Sequence, residues 1–402
     1  MIRKAPAKQC TLDPLPTWLL KSVSDVLSPV IARMCNASIE QCTFSHNRKS
    51  TVVRPLLKKA TMDKSDLSSF RPISNLSFIS KLLERVIDAR LTEHANINGL
   101  FSPVQSAYRG FHSTETALAK IHNDLVTSVD EGHVGALVLL DLSSAFDTVD
   151  HQILLQILKS RFAISDDALT WFHSYLSNRS HVIHFGGGIS SVITLYTGLR
   201  GATRFDDRSK IVHCLHRRAE LDSVFLKHDV HHHGYADDTQ AYVAVTRPNA
   251  PTVAPRLQHC LRDVNDFYGS RRLQLNASKT EVMWFGSAAS LRGLTASDQN
   301  VDIGNATVQP VYSVRNLGVY LDSLLDMHVH ISKTAQACHF QLRRLLGCDV
   351  TSNLVAALIL TKLDYGNALL AGLPHTLVAP YRTSASSMQP SGSVTEDRLG
   401  TF

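Results

Sequence analysis

The first 130 residues carry apolar side chains mainly at helical spacing. Over residues 18–34 this spacing predicts an amphipathic helix with a bend at Pro29. Ser77 and Ser113 each precede another apolar stripe of the same period, so each is expected to cap a helix. Residues 51–57, rich in β-branched side chains at their start, are instead typical of a short strand. This part of the chain is therefore predicted to be mainly helical.

The next apolar stretch is continuous rather than periodic. Residues 135–140 form an unbroken apolar run that ends at Asp141, which is typical of a strand buried on both faces. Further on, in residues 234–245, strand-forming side chains flank the polar pair Asp237 and Asp238, the pattern of a tight hairpin. The sequence thus predicts one strand that ends in an acid and one hairpin with two acids at its tip.

Composition narrows the class of protein. With 402 residues, 44% of them hydrophobic and 19% charged, the chain is not disordered, collagenous or fibrous, and its length suggests about two or three packed units. Seven cysteines without a C-x-x-C pair indicate neither a disulfide framework nor a zinc finger. No stretch approaches the roughly 20 apolar residues of a membrane span, so we expect an intracellular soluble protein.

Charge is unevenly distributed along the chain. The net charge is +6, and residues 1–60 alone hold ten Lys and Arg against three Asp and Glu. A basic N-terminal region suits the phosphates of nucleic acids or nucleotides, although an ordinary solvated surface explains the charge equally well.

The acids at the two strand ends suggest a metal site. If the two elements are neighbours in one sheet, Asp141 and Asp237 can hold two divalent ions about 4 Å apart, which activate a hydroxyl and neutralise a leaving pyrophosphate. Carboxylate oxygens suit Mg²⁺. For each acid alone, a turn residue or a helix N-cap is as good an explanation.

The sequence around these acids resembles that of a known protein family. Residues 136–151 (ALVLLDLSSAFDTVDH) closely resemble the first catalytic motif of reverse transcriptases from non-LTR (LINE-like) retrotransposons, and residues 235–238 (YADD) resemble the second. Further matches follow in the family's order at residues 55–59, 69–77, 105–109, 112–117, 275–281 and 316–322. The resemblance covers about residues 10–380.

The resemblance implies an α+β right-hand polymerase with helical fingers, an antiparallel-sheet palm and a helical thumb. The expected regions are fingers and N-terminal helices over 1–130, palm over 131–310, primer grip and thumb over 311–382, and a disordered tail over 383–402. The implied reaction adds dNTPs to the 3′-hydroxyl of a DNA primer on an RNA template, with two Mg²⁺ ions. The hybrid is expected to be bound through its shape and backbone charge.

Roles for single residues follow from the same resemblance. Asp141 and Asp237 are expected to hold the metals, with Asp238 supporting them. Phe146 matches the steric gate against a ribose 2′-hydroxyl, although an aromatic core residue is the alternative. Lys279 matches a residue that protonates departing pyrophosphate, or it is a solvated turn lysine.

Three more basic residues match the fingers of the family. Lys58, Lys59 and Arg71 are expected to grip the incoming triphosphate, Arg71 with the bidentate geometry of its guanidinium. For the two lysines a plain surface role is the alternative.

One family motif is missing. Where the family carries a V-P-Q-G-S-x-x-G-P segment, residues 204–218 hold seven charged residues out of fifteen. Codons can be chosen for residues 201–210 whose +1 frame encodes V-P-Q-G-S-M-I-G-P. We therefore infer two compensating frame shifts around residues 201–219 and expect little or no polymerase activity from this copy.

Other functions remain as alternatives. The chain is either a catalytically dead nucleic-acid-binding remnant, or a pseudogene product that does not fold stably, or, less favoured, a two-metal nuclease. The histidine-rich segment around residues 231–233 does not suit a metal site, because neighbours on a strand point to alternating faces.

Overall fold

The chain divides into two compact units that interleave along the sequence. The computed structural model describes residues 1–6, 9–143, 150–195, 219–295, 299–303, 306–345 and 359–379. Unit 1 comprises Met1–Ser102, Ser143–Arg218 and Phe267–Gln274, and unit 2 comprises Pro103–Leu142, Ala219–Asp266 and Leu275–Phe402. The region boundaries expected at 130, 310 and 382 stay predictions.

The described residues form a mixture of helices and mainly antiparallel strands, which confirms the α+β class. The helices are α1 (Thr17–Ser22), α2 (Ser24–Glu40), α3 (Phe78–Ile97), α4 (Thr114–Asp130), α5 (His151–Phe162), α6 (Asp166–Leu176), α7 (Ala219–Lys227), α8 (Val253–Ser270), α9 (Ala288–Arg292), α10 (His328–Leu345) and α11 (Thr361–Asp364). The strands are β1 (Ser50–Leu57), β2 (Phe70–Asn75), β3 (His133–Leu140), β4 (Leu142–Ser143), β5 (Arg179–Phe185), β6 (Gly188–Ile189), β7 (Ile193–Leu195), β8 (His231–Tyr235), β9 (Asp238–Thr246), β10 (Gln274–Leu275), β11 (Glu281–Phe285), β12 (Val301–Ile303), β13 (Ala306–Val308), β14 (Ser313–Asn316) and β15 (Val319–Asp322).

Unit 1 packs its helices around an aromatic cluster. Trp171 stacks on Tyr175 with ring centroids 5.4 Å apart, and Phe44 meets both rings edge-on. The buried Tyr175 hydroxyl donates to the carboxylate of Glu84, which satisfies two polar groups inside the apolar core. Beside the helices, β1 pairs antiparallel with β2 and parallel with β5.

The helix predicted over residues 18–34 is two helices. The break falls at Val23, whose φ of −98° and ψ of 23° lie outside the helical range, and α2 then continues through Pro29. Proline clashes with the carbonyl four residues before it, so its disturbance is expected on the N-terminal side. A break six residues before Pro29 thus divides the predicted helix, and the bend expected at Pro29 stays a prediction.

The two predicted caps are confirmed. The Ser77 hydroxyl accepts from the Ser80 N–H at the start of α3. At the start of α4, Ser113 and Thr116 form a reciprocal capping box, in which each side chain accepts from the other's backbone N–H.

Unit 2 is built on an antiparallel sheet in the order β11-β3-β9-β8. The strand β3, predicted to be buried on both faces, lies between β11 and β9, and most of its side chains are buried. Gly135 allows β3 and β9 to lie close together, because a Cβ at this position would lie 2.1 Å from the carbonyl oxygen of Val243. A hydrophobic core joins this sheet to α4, to the β14–β15 hairpin and to α10.

No helix among the described residues is both long and apolar enough to cross a membrane.

Candidate active site

The first acid lies where the buried strand emerges from the sheet. Asp141 directly follows β3, and its side chain is 36% exposed, whereas Leu140 before it is buried. Its backbone carbonyl accepts the N–H of Asn276 at 2.9 Å. The strand end therefore presents a fixed carboxylate with access to solvent.

The other two acids belong to the predicted hairpin, which the structure confirms. Tyr235 on β8 pairs with Asp238 on β9, so the connecting turn consists of Ala236 and Asp237 alone. Asp237 lies in the turn itself, and Asp238 is the exposed first residue of β9.

The two elements are neighbours in the sheet, as the metal-site hypothesis requires. In the β3–β9 ladder Leu140 pairs with Thr239. One step further along the same register brings Asp141 opposite Asp238, with Asp237 in the adjoining turn. Asp141 thus lies at the same end of the strand pair as Asp237 and Asp238, although these two acids come almost a hundred residues later in the sequence.

A tight turn brings a lysine to this end of the sheet. After β10 the N–H groups of Lys279 and Thr280 both donate to the carbonyl of Asn276. The Ser278 hydroxyl bonds to the Asn276 side chain at 2.7 Å. The turn places Lys279 Nζ 3.3 Å from Oδ1 of Asp141.

This ion pair is largely solvated, since the lysine side chain is 62% exposed and the carboxylate 36% exposed. Such pairs contribute at most about 1 kcal/mol, so the lysine can leave the carboxylate at little cost. The position fits the role that the resemblance gave Lys279, which stays a prediction.

The donor set suits Mg²⁺, because all three acids offer hard oxygens, and Asp141 and Asp238 are open to solvent. No group of three or more His, Cys, Asp or Glu within the described ranges is arranged as a ready metal site. Magnesium is commonly held by one or two carboxylates, with waters and substrate phosphates completing its shell. Two carboxylates such as those of Asp141 and Asp237 would therefore fit Mg²⁺ in type and number.

The predicted triphosphate-binding residues lie in unit 1, whereas the carboxylates and Lys279 lie in unit 2. Lys58 and Lys59 follow β1, Arg71 lies on β2, and all three are exposed. Lys58 Nζ donates to the carbonyl of Ser68 at 2.7 Å. Arg71 pairs with Leu56 across the strands, which places it on the same face as Lys58.

Several predictions fall on other parts of the chain. Phe146, the inferred frame-shifted segment except for Ala219, and the tail at 383–402 lie outside the described residues. The segment that resembles the family's primer grip, residues 316–322, lies in the β14–β15 hairpin. The side-chain oxygen of the buried Asn316 accepts a hydrogen bond from the Gln240 amide at 3.0 Å.

The histidines near the hairpin have local partners. His232 Nε2 lies 2.8 Å from Asp222 and stacks on Phe225 of α7. His228 lies 2.8 Å from Asp263, and His231 stacks on Tyr242. These contacts join α7, α8 and the hairpin, and they give the histidines structural roles.

Sequence reasoning missed the residues that brace the hairpin from outside. Ser106 is buried and hydrogen-bonded to the buried His233 at 2.9 Å and to His112 at 3.2 Å. Ser106 stood within a family-like stretch, but nothing in the pattern of residues 105–109 indicated a partner more than 120 positions away.

Comparison with known proteins gives matches over most of the chain. The family model described as reverse transcriptase (RNA-dependent DNA polymerase) matches residues 57–321. The chain is 23% identical over 381 residues to the RNA-directed DNA polymerase from mobile element jockey of Drosophila melanogaster. The alignment covers 91% of this chain and 39% of that protein.

Two further relatives from Drosophila melanogaster are similar. The probable RNA-directed DNA polymerase from transposon X-element is 26% identical over 50% of this chain and 22% of that protein. That from transposon BS is 22% identical over 86% of this chain and 37% of that protein. The chain thus spans about two fifths or less of these relatives, and the predicted resemblance to non-LTR retrotransposon polymerases is confirmed.

Among solved structures, an apo telomerase from Candida tropicalis truncated from its C-terminal domain is similar over 70% of this chain and 55% of that chain, with a TM-score of 0.46 and 9% identity.

Proposed function

The chain belongs to the reverse transcriptase (RNA-dependent DNA polymerase) family, and we propose that its site is built to add deoxynucleotides to a DNA 3′-hydroxyl on an RNA template. The substrates are an RNA template, a DNA primer and dNTPs. We further propose that this copy is impaired, because residues 201–219 lack the segment with which the family positions template and nucleotide.

One observation carries the proposal. Asp141 and Asp238 are opposed at the ends of two paired strands, Asp237 lies in the adjoining turn, and a lysine reaches the same strand end. Asp141 and Asp237 would hold two Mg²⁺ ions, with Asp238 in support. When bound, the ions lower the pKa of the attacking hydroxyl and offset charge on the leaving pyrophosphate.

The lysine has a role of its own at this strand end. Lys279 Nζ carries the proton that we assign to the departing pyrophosphate, and it pairs with Asp141 before substrate binds. Because the pair is solvated and weak, a triphosphate can replace the carboxylate as the partner of the ammonium.

One face of the β1–β2 hairpin carries positively charged side chains. Lys58 and Arg71 are exposed on that face, Lys59 is exposed directly after β1, and we assign all three to the incoming triphosphate. Arg71 can form two parallel hydrogen bonds to phosphate oxygens, whereas the lysines act as point charges. Phe146 is proposed as the gate that rejects a 2′-hydroxyl.

Primer extension tests the function. The protein as it stands is compared, with Mg²⁺, an RNA template and a DNA primer, with a version in which codons 201–219 are restored to the inferred frame. We expect extension only by the restored version, and none when it also carries Asp237→Asn. Equal extension by the unaltered protein would show that residues 201–218 are a working variant of the missing motif.

The alternative hypothesis is a catalytically dead nucleic-acid-binding remnant. The excess of Lys and Arg over Asp and Glu in the first 60 residues favours it. It predicts RNA binding that weakens steeply with salt, in the absence of extension by either version. Cooperative unfolding in urea would count against the second rival, a product that never folds.

A further inference from the structure

The hairpin that carries Asp237 and Asp238 is held along its outer edge by a segment from another part of unit 2. In the described sheet, β8 is the last strand. The Gly234 N–H donates to the carbonyl of Val104 at 2.8 Å, and the Ser106 N–H donates to the carbonyl of Gly234 at 3.0 Å. This parallel bridge centres on Gln105 and satisfies backbone groups that an edge strand otherwise leaves open.

The side chain of Gln105 reaches beyond the bridge to the turn. Its Nε2 donates to the carbonyl of Ala236 at 3.3 Å, and its Oε1 accepts the N–H of Ala107 at 3.5 Å. The side chain is buried, with only 9% of the residue exposed. Because the amide uses a donor on one side and an acceptor on the other, its orientation is determined.

The carbonyl that Gln105 contacts belongs to the central peptide of a two-residue turn. Ala236 has a φ of 55°, and Asp237 is not in the positive-φ region, which matches a type II′ turn. A type I′ turn requires positive φ at both positions. The two turn types differ by a flip of the peptide that joins Ala236 to Asp237, and this flip moves the Ala236 oxygen to the opposite side.

Neither residue of the turn favours this conformation strongly. A non-glycine residue with positive φ at the first position of a type II′ turn costs on the order of 1 to 3 kcal/mol, and glycine is the usual occupant. A turn of Ala and Asp is therefore weakly specified by its own sequence. Its geometry depends on contacts from outside the hairpin.

We propose that Gln105 is a positioning residue for Asp237: its amide holds the Ala236 carbonyl and thereby selects one orientation of the turn peptide. A flip to the type I′ form would bring the Ala236 oxygen close to Cβ of Asp237, so the selection decides which rotamers are open to the Asp237 carboxylate. The inference rests on the proposed function only in taking Asp237 as a metal ligand. The effect on the turn is independent of it.

Two substitutions separate positioning from packing. Gln105→Glu has nearly the same shape, but the ionised side chain has no donor and sets an oxygen against the Ala236 carbonyl. Gln105→Met keeps the volume and removes both polar groups. Gln156→Glu, at an exposed position of α5, is the matched control for the change in charge.

The first readout is the amide signal of Asp237 in protein labelled with ¹⁵N-aspartate. In the parent protein we expect one sharp signal. In Gln105→Glu and Gln105→Met we expect a shifted or exchange-broadened Asp237 signal, and in Gln156→Glu the parent spectrum. A parent-like Asp237 signal in whichever Gln105 variants fold would overturn the proposal.

The second readout is the affinity for Mn²⁺, measured by electron paramagnetic resonance. Outer-shell substitutions commonly weaken metal binding by about 10- to 100-fold, and we expect a loss in this range for Gln105→Glu. The parent protein with Asp237→Asn is measured in parallel. If Asp237→Asn leaves Mn²⁺ binding unchanged, the assignment of Asp237 as a ligand fails, and the amide signal still decides the role of Gln105.

Discussion

Lys279 and Asp141 are 138 positions apart in sequence, yet Nζ of the lysine lies 3.3 Å from Oδ1 of the carboxylate. The contact depends on the backbone, because the Asn276 N–H donates to the Asp141 carbonyl at the start of the turn that carries Lys279. Main-chain hydrogen bonding and an ion pair therefore join the strand end to the lysine turn. A change in the lysine is expected to be felt first at the carboxylate.

Replacing Lys279 with Gln should increase the affinity of the site for Mn²⁺. The ammonium competes with a cation for Asp141, and a solvated pair of up to about 1 kcal/mol corresponds to an increase of up to about fivefold. In the frame-restored protein the same substitution should slow primer extension, since the proposed proton donor is lost. The control is Lys227→Gln, which removes a lysine paired with Asp263 at 2.7 Å. Weaker Mn²⁺ binding in Lys279→Gln would contradict the competition.

Replacing Asp141 with Asn should reduce Mn²⁺ affinity and abolish extension by the frame-restored protein. The substitution removes the charge and half of the carboxylate oxygens, but it leaves the backbone bond to Asn276 in place. The fold should therefore survive, as circular dichroism can verify. Asp25→Asn serves as control, because Asp25 is an exposed partner of Arg3 in unit 1. Retained extension in Asp141→Asn would remove this residue from the proposed site.

Replacing Gly135 with Ala should strongly destabilise unit 2. The added Cβ would lie 2.1 Å from the Val243 carbonyl oxygen and 2.7 Å from Cζ of Phe285, so the central strands would have to separate. We expect a loss of about 3 kcal/mol or more in the free energy of unfolding, measured in urea. Gly110→Ala meets no atom within 4 Å and should change stability by less than about 0.5 kcal/mol. Similar losses in both variants would contradict the packing argument.

The features that could be predicted from the sequence are those determined by residues close to one another along the chain. The caps at Ser77 and Ser113 need only the next few backbone N–H groups, and the apolar run at 135–140 suits a fully buried strand wherever its partners lie. The hairpin at YADD is local as well. All were confirmed.

The features that sequence did not predict depend on distant partners. The bond from Gln105 to Ala236 spans 131 positions, and that from Lys279 to Asp141 spans 138. No periodicity encodes such pairs. The break at Val23 was missed for a different reason, because the apolar spacing runs through this position without interruption.

The stability of unit 2 is expected to depend on pH through the buried Asp322. Burial, and secondly the charge of Asp326, raise the pKa of Asp322 to about 6, above its ordinary value of 3.8. The folded state therefore binds this proton more tightly than the unfolded chain does. The resulting stability is fully present below about pH 4 and is lost as the pH rises through 6. Two pKa units correspond to on the order of 2 to 3 kcal/mol.

Asp322→Asn should remove this contribution to the pH dependence. The amide cannot ionise, and its oxygen can still accept the Asp326 N–H that Oδ1 accepts at 3.1 Å. Urea unfolding at pH 4.5 and pH 7 gives the change in unfolding free energy for each protein, and the parent should lose more stability between them than the variant. Asp326→Asn should fall between the two, because it removes only the smaller cause. An equal loss in parent and Asp322→Asn would mean that Asp322 is not protonated in the folded state at pH 4.5.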